Sequence, residues 1–274
     1  MTHKVILIVI DGLAWQVAES ETGYLHALAE AGAASILRMQ SALPTLSRPL
    51  YECLLTGATP VESGILHNGV VRLSTGQSLF HLAAQAGLKT AAAAYYWISE
   101  LYNRAPYVAR RDRFTNDPSL PIQHGVFYQS DDYPDSHLFL DAAHLLQRWQ
   151  PDFLLVHPMG VDDAGHHHGL DSPAYRHATR RADLLLSDYL PEWRAAGYQT
   201  VIVSDHGMTN DRAHGGCRPE ERDVPLILVG DVFDHDTAAN LAQPVAQTEV
   251  FGFVAGLLGV ATDNNRLSSL IRNA

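Results

Sequence analysis

A three-layer α/β/α sandwich around a mostly parallel central sheet is the fold class this sequence predicts, and three observations predict it. Short apolar runs alternate with segments of helical period along most of the chain. The runs are continuously apolar rather than alternating, which marks strands buried on both faces between two helix layers. A chain of 274 residues is long enough for one full core, so a single domain over residues 1–274 is the most economical organisation.

Taken in order, "KVILIVI" reads as the first strand and stops at Asp11. Helical period follows through "GYLHALAEAGA", and "SILRMQ" is the next strand. "SLFHLAAQAG" precedes "KTAAAAYY", and "SHLFLDAAHLLQRW" leads into "DFLLVHP". A long helix should start at Ser172-Pro173, a capping residue and a first-turn proline, and stop at Gly197. It feeds "TVIVSDHG", and "VPLILVG" follows. The rhythm breaks between residues 102 and 134, a segment rich in Pro, Arg and aromatics without a clear period. It is expected as an irregular insertion that caps the active-site mouth. Its arginines Arg104, Arg110, Arg111 and Arg113 read either as a guide for an anion or as a solvated charge run.

The composition, 46% hydrophobic and 18% charged, is that of a globular protein and not a disordered one. A formal net charge of −11 argues against a nucleic-acid polymer or an anionic membrane as partner. Cys53 and Cys217 are too few for a disulfide scaffold. No apolar run approaches the ~20 residues of a membrane helix, and the first run lacks a cleavage site. A cytoplasmic protein without a membrane partner is therefore expected.

In open parallel sheets, ligands gather at the carboxyl ends of strands. Asp11 follows the first strand, Asp162 and His166 lie just beyond "DFLLVHP", and Asp205 and His206 follow "TVIVS". His214, in "RAHGGC", is one short loop further on. Singly these residues are ambiguous: an Asp at a strand end is often a helix N-cap, and "HHHG" is often plain polar loop. Together they crowd three carboxylates that would raise one another's pKa. Divalent cations remove that conflict. Imidazole and carboxylate ligation without thiolate suits zinc and tolerates manganese or iron.

"VIDGL", "GVDDAGH", "SDHGM" and "AHGG", in this order, resemble the alkaline phosphatase superfamily, nearest its nucleotide pyrophosphatase/phosphodiesterase branch (type I phosphodiesterase). The resemblance implies two zinc-type ions in an alkaline phosphatase-like fold. "PTLSRPLYECLLTGATPVESGILHNG" looks like the branch's nucleophile segment and puts Ser47 at the attacking hydroxyl, where the branch usually has Thr. Thr45 is the candidate in the alternative register. Carried over by position, Asp11, Asp205, His206 and the Ser47 oxygen would hold one metal, and Asp162, His166 and His214 the other. Asn68 would donate a hydrogen bond to a phosphoryl oxygen. Arg48 stands where the branch often has a base-stacking Phe; with Trp97 it is the candidate substrate contact.

The implied function is metal-dependent hydrolysis of phosphodiester or pyrophosphate bonds through a phosphoseryl-type intermediate. The substrate would be a small phosphorylated molecule such as a nucleotide. On the same two-metal site the alternatives are a phosphomonoesterase, a phosphonate hydrolase, a phosphoryl-transferring mutase or a non-catalytic metal-binding relative.

Overall fold

The computed structural model describes residues 2–260 and 265–272. Nine strands form one sheet: β1 (Lys4–Val9), β2 (Ala34–Gln40), β3 (Thr90–Tyr95), β4 (Phe114–Asn116), β5 (His124–Tyr128), β6 (Phe153–Val156), β7 (Tyr198–Val203), β8 (Asp223–Val229) and β9 (Val245–Ala246). Their order is β4-β5-β3-β6-β1-β7-β8-β2-β9. The central run β5-β3-β6-β1-β7 is parallel throughout. β8 runs antiparallel to β7 and to β2, β4 antiparallel to β5, and β9 parallel to β2.

The continuous apolarity of β1 has the expected cause. Val5, Leu7 and Val9 enter one core with Leu54 and Leu55 of the helix Ser47–Thr56 and Val250 and Phe253 of the helix Glu249–Leu257. Ile6, Ile8 and Ile10 enter a second core on the other face. There they meet Leu138 and Phe139 of the helix Asp135–Trp149 and Ala178 and Leu186 of the helix Pro173–Ala195. Ser172 caps that last helix by accepting from the Tyr175 N–H at 3.1 Å, and Gly197 follows it at φ +85°. The layered sandwich is thus as read: two apolar cores, one on each face of a mostly parallel sheet.

β1 lies between β6 and β7, in register Ile8↔Val156 and Val9↔Val203. The carboxyl ends of these three neighbours therefore open onto one patch of the sheet edge.

The segment 102–134 needs correction. It is not an irregular insertion: β5 pairs with β3 from Ala91↔His124 to Tyr95↔Tyr128, and β4 adds the outermost strand. The strand "HGVFY" escaped the apolar pattern because it begins on His124 and Gly125. Two of the arginines are spent locally, Arg104 on Asp112 and Asp117 at 3.5 and 2.9 Å and Arg111 on Asp112 at 2.7 Å.

Candidate metal centre

The three strand ends deliver their polar residues to one place. Asp11 leaves β1, Asp205 and His206 leave β7, and Asp162 begins beyond β6 in the short helix Gly160–His168, which also carries His166 one turn later. Gly12 makes the first turn possible: its φ is +72°, and a Cβ there would lie 2.8 Å from Asp162. Gly207 has a different reason to be glycine, since a Cβ would strike the Glu220 carbonyl. The Asp205 backbone is clamped by Ser41 and Gln247, whose side chains donate to its carbonyl at 2.5 and 2.7 Å.

Donor atoms of Asp11, Asp205 and His206 lie within 4.8 Å of one another, as do those of Asp162, His206 and His214. His166 joins the second group, with Nε2 at 3.3 Å from Asp162 Oδ2 and 3.1 Å from His214 Nε2. All six predicted side chains therefore converge.

Their hydrogen bonds show what they are oriented for. Each imidazole donates Nδ1–H to a backbone carbonyl: His206 to Gly207 at 2.8 Å, His214 to Thr45 at 2.7 Å and His166 to Arg212 at 3.0 Å. A carbonyl can only accept, so a proton is fixed on Nδ1 and each ring turns its Nε2 into the cluster. Among the described residues, Asp11 Oδ1, Asp162 Oδ1 and Asp205 Oδ2 are buried without a hydrogen-bond donor. Buried carboxylate oxygens without donors are costly unless a cation faces them. Three Nε2 atoms turned toward three such oxygens fit divalent ions of the zinc class.

The electrostatics agree. Burial pushes the Asp205 carboxyl well above the usual range, and the charges of Asp11 and Asp162 add to it. Burial and the Asp11 charge raise Asp162. Burial lowers His206, and burial together with His206 lowers His214 to about 4. His166 is raised to about 9, chiefly by its hydrogen bond with Asp162. Asp11 alone stays a firm anion: burial opposes it, but His157, His206 and Tyr51 hold it at about 2. A centre in which most anions are penalised is one that lacks positive charge.

Ser47 opens the helix Ser47–Thr56, and its Oγ lies 3.0 Å from His206 Nε2. Leu46 occupies the cap position, so the hydroxyl is not used as a cap. Thr45 is differently placed: its hydroxyl donates to the Gly216 carbonyl and accepts from the Gly215 N–H, both at 2.9 Å. Asn68 turns its Oδ1 to the Arg48 N–H at 3.0 Å, which leaves its NH2 group as the outward donor.

Arg48, expected as a substrate contact, is turned inward. It is 1% exposed, its Nη1 lies 2.7 Å from Glu100 Oε2 and 2.8 Å from the Val70 carbonyl, and Trp97 covers its guanidinium at 4.6 Å. A buried guanidinium must be paired, and Glu100 supplies the partner. Trp97 is half-buried on that cation. The sequence reading missed His157, whose Nε2 lies 3.0 Å from Asp11 Oδ2; its position after β6, among three polar strand ends, was the available signal.

The family model for type I phosphodiesterase/nucleotide pyrophosphatase matches residues 5–216. The chain belongs to this family. With it goes membership of the alkaline phosphatase superfamily. GPI ethanolamine phosphate transferase 2, catalytic subunit, of Homo sapiens is 25% identical over 98% of this chain and 27% of its own length. GPI ethanolamine phosphate transferase 2 of Aspergillus fumigatus is 22% identical over 98% and 36%. The chain thus spans roughly a third of the length of these relatives. Among solved structures, murine ectonucleotide pyrophosphatase/phosphodiesterase 5, in an inactive form in complex with AMP, shares the fold at TM-score 0.75 and 13% identity, over 98% of this chain and 100% of its own. The C-terminal periplasmic domain of EcEptC from Escherichia coli does so at TM-score 0.67 and 14% identity, over 96% and 84%.

These matches overturn the cytoplasmic placement. The curated relatives are GPI ethanolamine phosphate transferases, and one structural neighbour is a periplasmic domain. Few cysteines and a first strand without a cleavage site say nothing positive about an address. Among the described residues no helix is long and apolar enough to cross a membrane.

Proposed function

We propose that this chain cleaves a phosphodiester bond by attack of the Ser47 hydroxyl on phosphorus, with two divalent cations, zinc by donor type, beside it. The observation that carries the reading is the set of three Nε2 atoms turned into one cluster with three donorless carboxylate oxygens, with Ser47 Oγ 3.0 Å from the His206 Nε2. Asp11, Asp205, His206 and Ser47 would hold one ion, and Asp162, His166 and His214 the other. Bound cations would supply Lewis-acid charge that lowers the pKa of the serine hydroxyl and neutralises charge on the departing oxygen.

Ser47 Oγ bonds to phosphorus as the ester oxygen leaves in line, and the serine proton passes to solvent. An acceptor hydroxyl then bonds to the same phosphorus, the Ser47 O–P bond breaks, and the serine recovers a proton. Asn68, its Oδ1 pinned by the Arg48 N–H, presents its NH2 group to a non-bridging oxygen, a contact preorganised before the charge develops. The N-terminus of the ten-residue helix behind Ser47 adds a favourable dipole for the phosphoryl group. With Arg48 buried, no side chain at that position stacks on a nucleobase, which supports a broader class of small phosphodiesters than nucleotides.

One observation favours transfer over hydrolysis as the second step: the relatives matched over 98% of this chain are ethanolamine phosphate transferases. In that reading the acceptor hydroxyl belongs to an alcohol and the group carried on Ser47 is phosphoethanolamine.

Metal analysis of the purified protein, with turnover of an aryl phosphodiester and the matching monoester, tests the proposal. Two ions per chain and a faster diester are expected. Ser47→Ala should keep the ions and lose turnover by orders of magnitude. A metal-free wild type, a far faster monoester or an active Ser47→Ala variant would each refute it. Adding an alcohol and counting the phosphorylated alcohol formed separates transfer from hydrolysis.

A further inference from the structure

The two oxygens of Asp11 are treated oppositely. Oδ1 has no hydrogen-bond donor and belongs to the cluster, whereas Oδ2 accepts from His157 Nε2 at 3.0 Å and from the Tyr51 hydroxyl. His157 is in turn fixed on three sides. The Tyr95 N–H donates to its Nδ1 at 3.4 Å, which puts the ring proton on Nε2, toward Asp11. Its carbonyl accepts from the Tyr128 hydroxyl at 2.6 Å. The Tyr51 ring meets its ring edge-on, with centroids 4.7 Å apart. Asp11, Tyr51 and His157 are each at most 1% exposed. Tyr51 lies one helical turn after Ser47 on the same helix.

We propose that His157 and Tyr51 are positioning residues for the Asp11, Asp205 and His206 side of the centre. They hold Asp11 so that Oδ1 alone is offered to the ion. This rests on the two-cation reading. A carboxylate rotates readily about its last bond, and in a buried site its two oxygens would otherwise exchange or chelate together. Two donors locked on Oδ2 forbid both. The Tyr51 contact also ties the nucleophile helix to the carboxylate, so the ion and Ser47 are placed by one hydrogen-bonded unit. Outer partners of this kind are worth about 10–100-fold in metal affinity.

The experiment uses the full chain, stripped of metal and titrated with zinc against a chromophoric chelator, with thermal unfolding in EDTA alongside. The variants are His157→Leu, His157→Gln and Tyr51→Phe. Wild type should show two affinities. His157→Leu should weaken one by about 10–100-fold and spare the other, His157→Gln should recover most of the loss because it keeps an N–H, and Tyr51→Phe should weaken the same affinity. Equal weakening of both affinities in step with the EDTA melting temperature would show simple loss of packing and overturn the inference. So would unchanged affinities in all three variants. Should His157→Leu not fold, His157→Gln and Tyr51→Phe decide. A wild type that takes up no zinc would instead remove the two-cation reading itself.

Discussion

Arg48→Met separates an internal role for Arg48 from a substrate contact, because the two lose different things. The guanidinium lies 2.7 Å from Glu100, with the two side chains 2% and 4% exposed. Removing one partner of a buried ion pair costs about 3–5 kcal/mol, because the other charge is left unpaired. Glu100 Oε1 keeps the Tyr107 N–H at 2.9 Å, which favours the lower end, about 3 kcal/mol. The stack on half-buried Trp97 adds about 1 kcal/mol, at the top of the range for incompletely desolvated pairs. The total of about 4 kcal/mol corresponds to a drop in melting temperature of roughly 8–16 °C for a domain of this size. Thermal and urea unfolding of the metal-free protein measure it. The double variant Arg48→Met/Glu100→Gln should regain more than half, since glutamine keeps an acceptor for the Tyr107 N–H and leaves no unpaired charge. A loss under about 1 kcal/mol together with a large rise in KM would refute the reasoning and return Arg48 to the substrate.

Thr45→Val strands the Gly215 N–H and the Gly216 carbonyl, so stability should fall by about 1–3 kcal/mol while turnover survives well above that of Ser47→Ala; equal loss of turnover in the two variants would move the nucleophile. Gly12→Ala, which forces a side chain into the left-handed region and against Asp162, should lower metal content at the Asp162 side, and full metal content would show that this close approach is not needed. Burial pushes the Asp135 carboxyl up to about 6 against N–H bonds from Gly160 and Met159. The unfolded chain, titrating near 3.8, gives up this proton first, so stability should fall as pH rises from about 4 through about 6. Asp135→Asn should remove that slope in urea melts with EDTA present; an unchanged slope would show that another group sets it.

What could be read from the sequence follows the range of the interactions. Asp11, Asp205 and His206 stood out because polar residues interrupt apolar strands, and strand periodicity is local. Their convergence followed from one rule about parallel sheets and held because β6, β1 and β7 are neighbours. Ser47 was visible only through the family pattern; its own neighbours read equally well as a helix start. His157 was hidden because its partner, Asp11 at the end of β1, is defined by sheet order and not by spacing. Arg48 misled for the same reason, since Glu100 reaches it from the helix Tyr96–Tyr102. β5 was hidden because His124 carries apolar duty in disguise, stacked flat on Trp149 at 4.0 Å.

The donor set is also asymmetric, and the asymmetry bears on the second step. Asp11, Asp205 and His206 are fully buried, whereas the His166 side chain is 43% exposed. On the two-cation reading, an acceptor would therefore approach phosphorus from the His166 side, the exposed side of the donor set. Hydrolysis needs nothing more than that opening. Transfer to an alcohol needs the same opening covered, because water outnumbers any acceptor until something excludes it. On the proposed reading, the choice between water and an alcohol would therefore turn on what covers His166 rather than on the six candidate ligands or on Ser47.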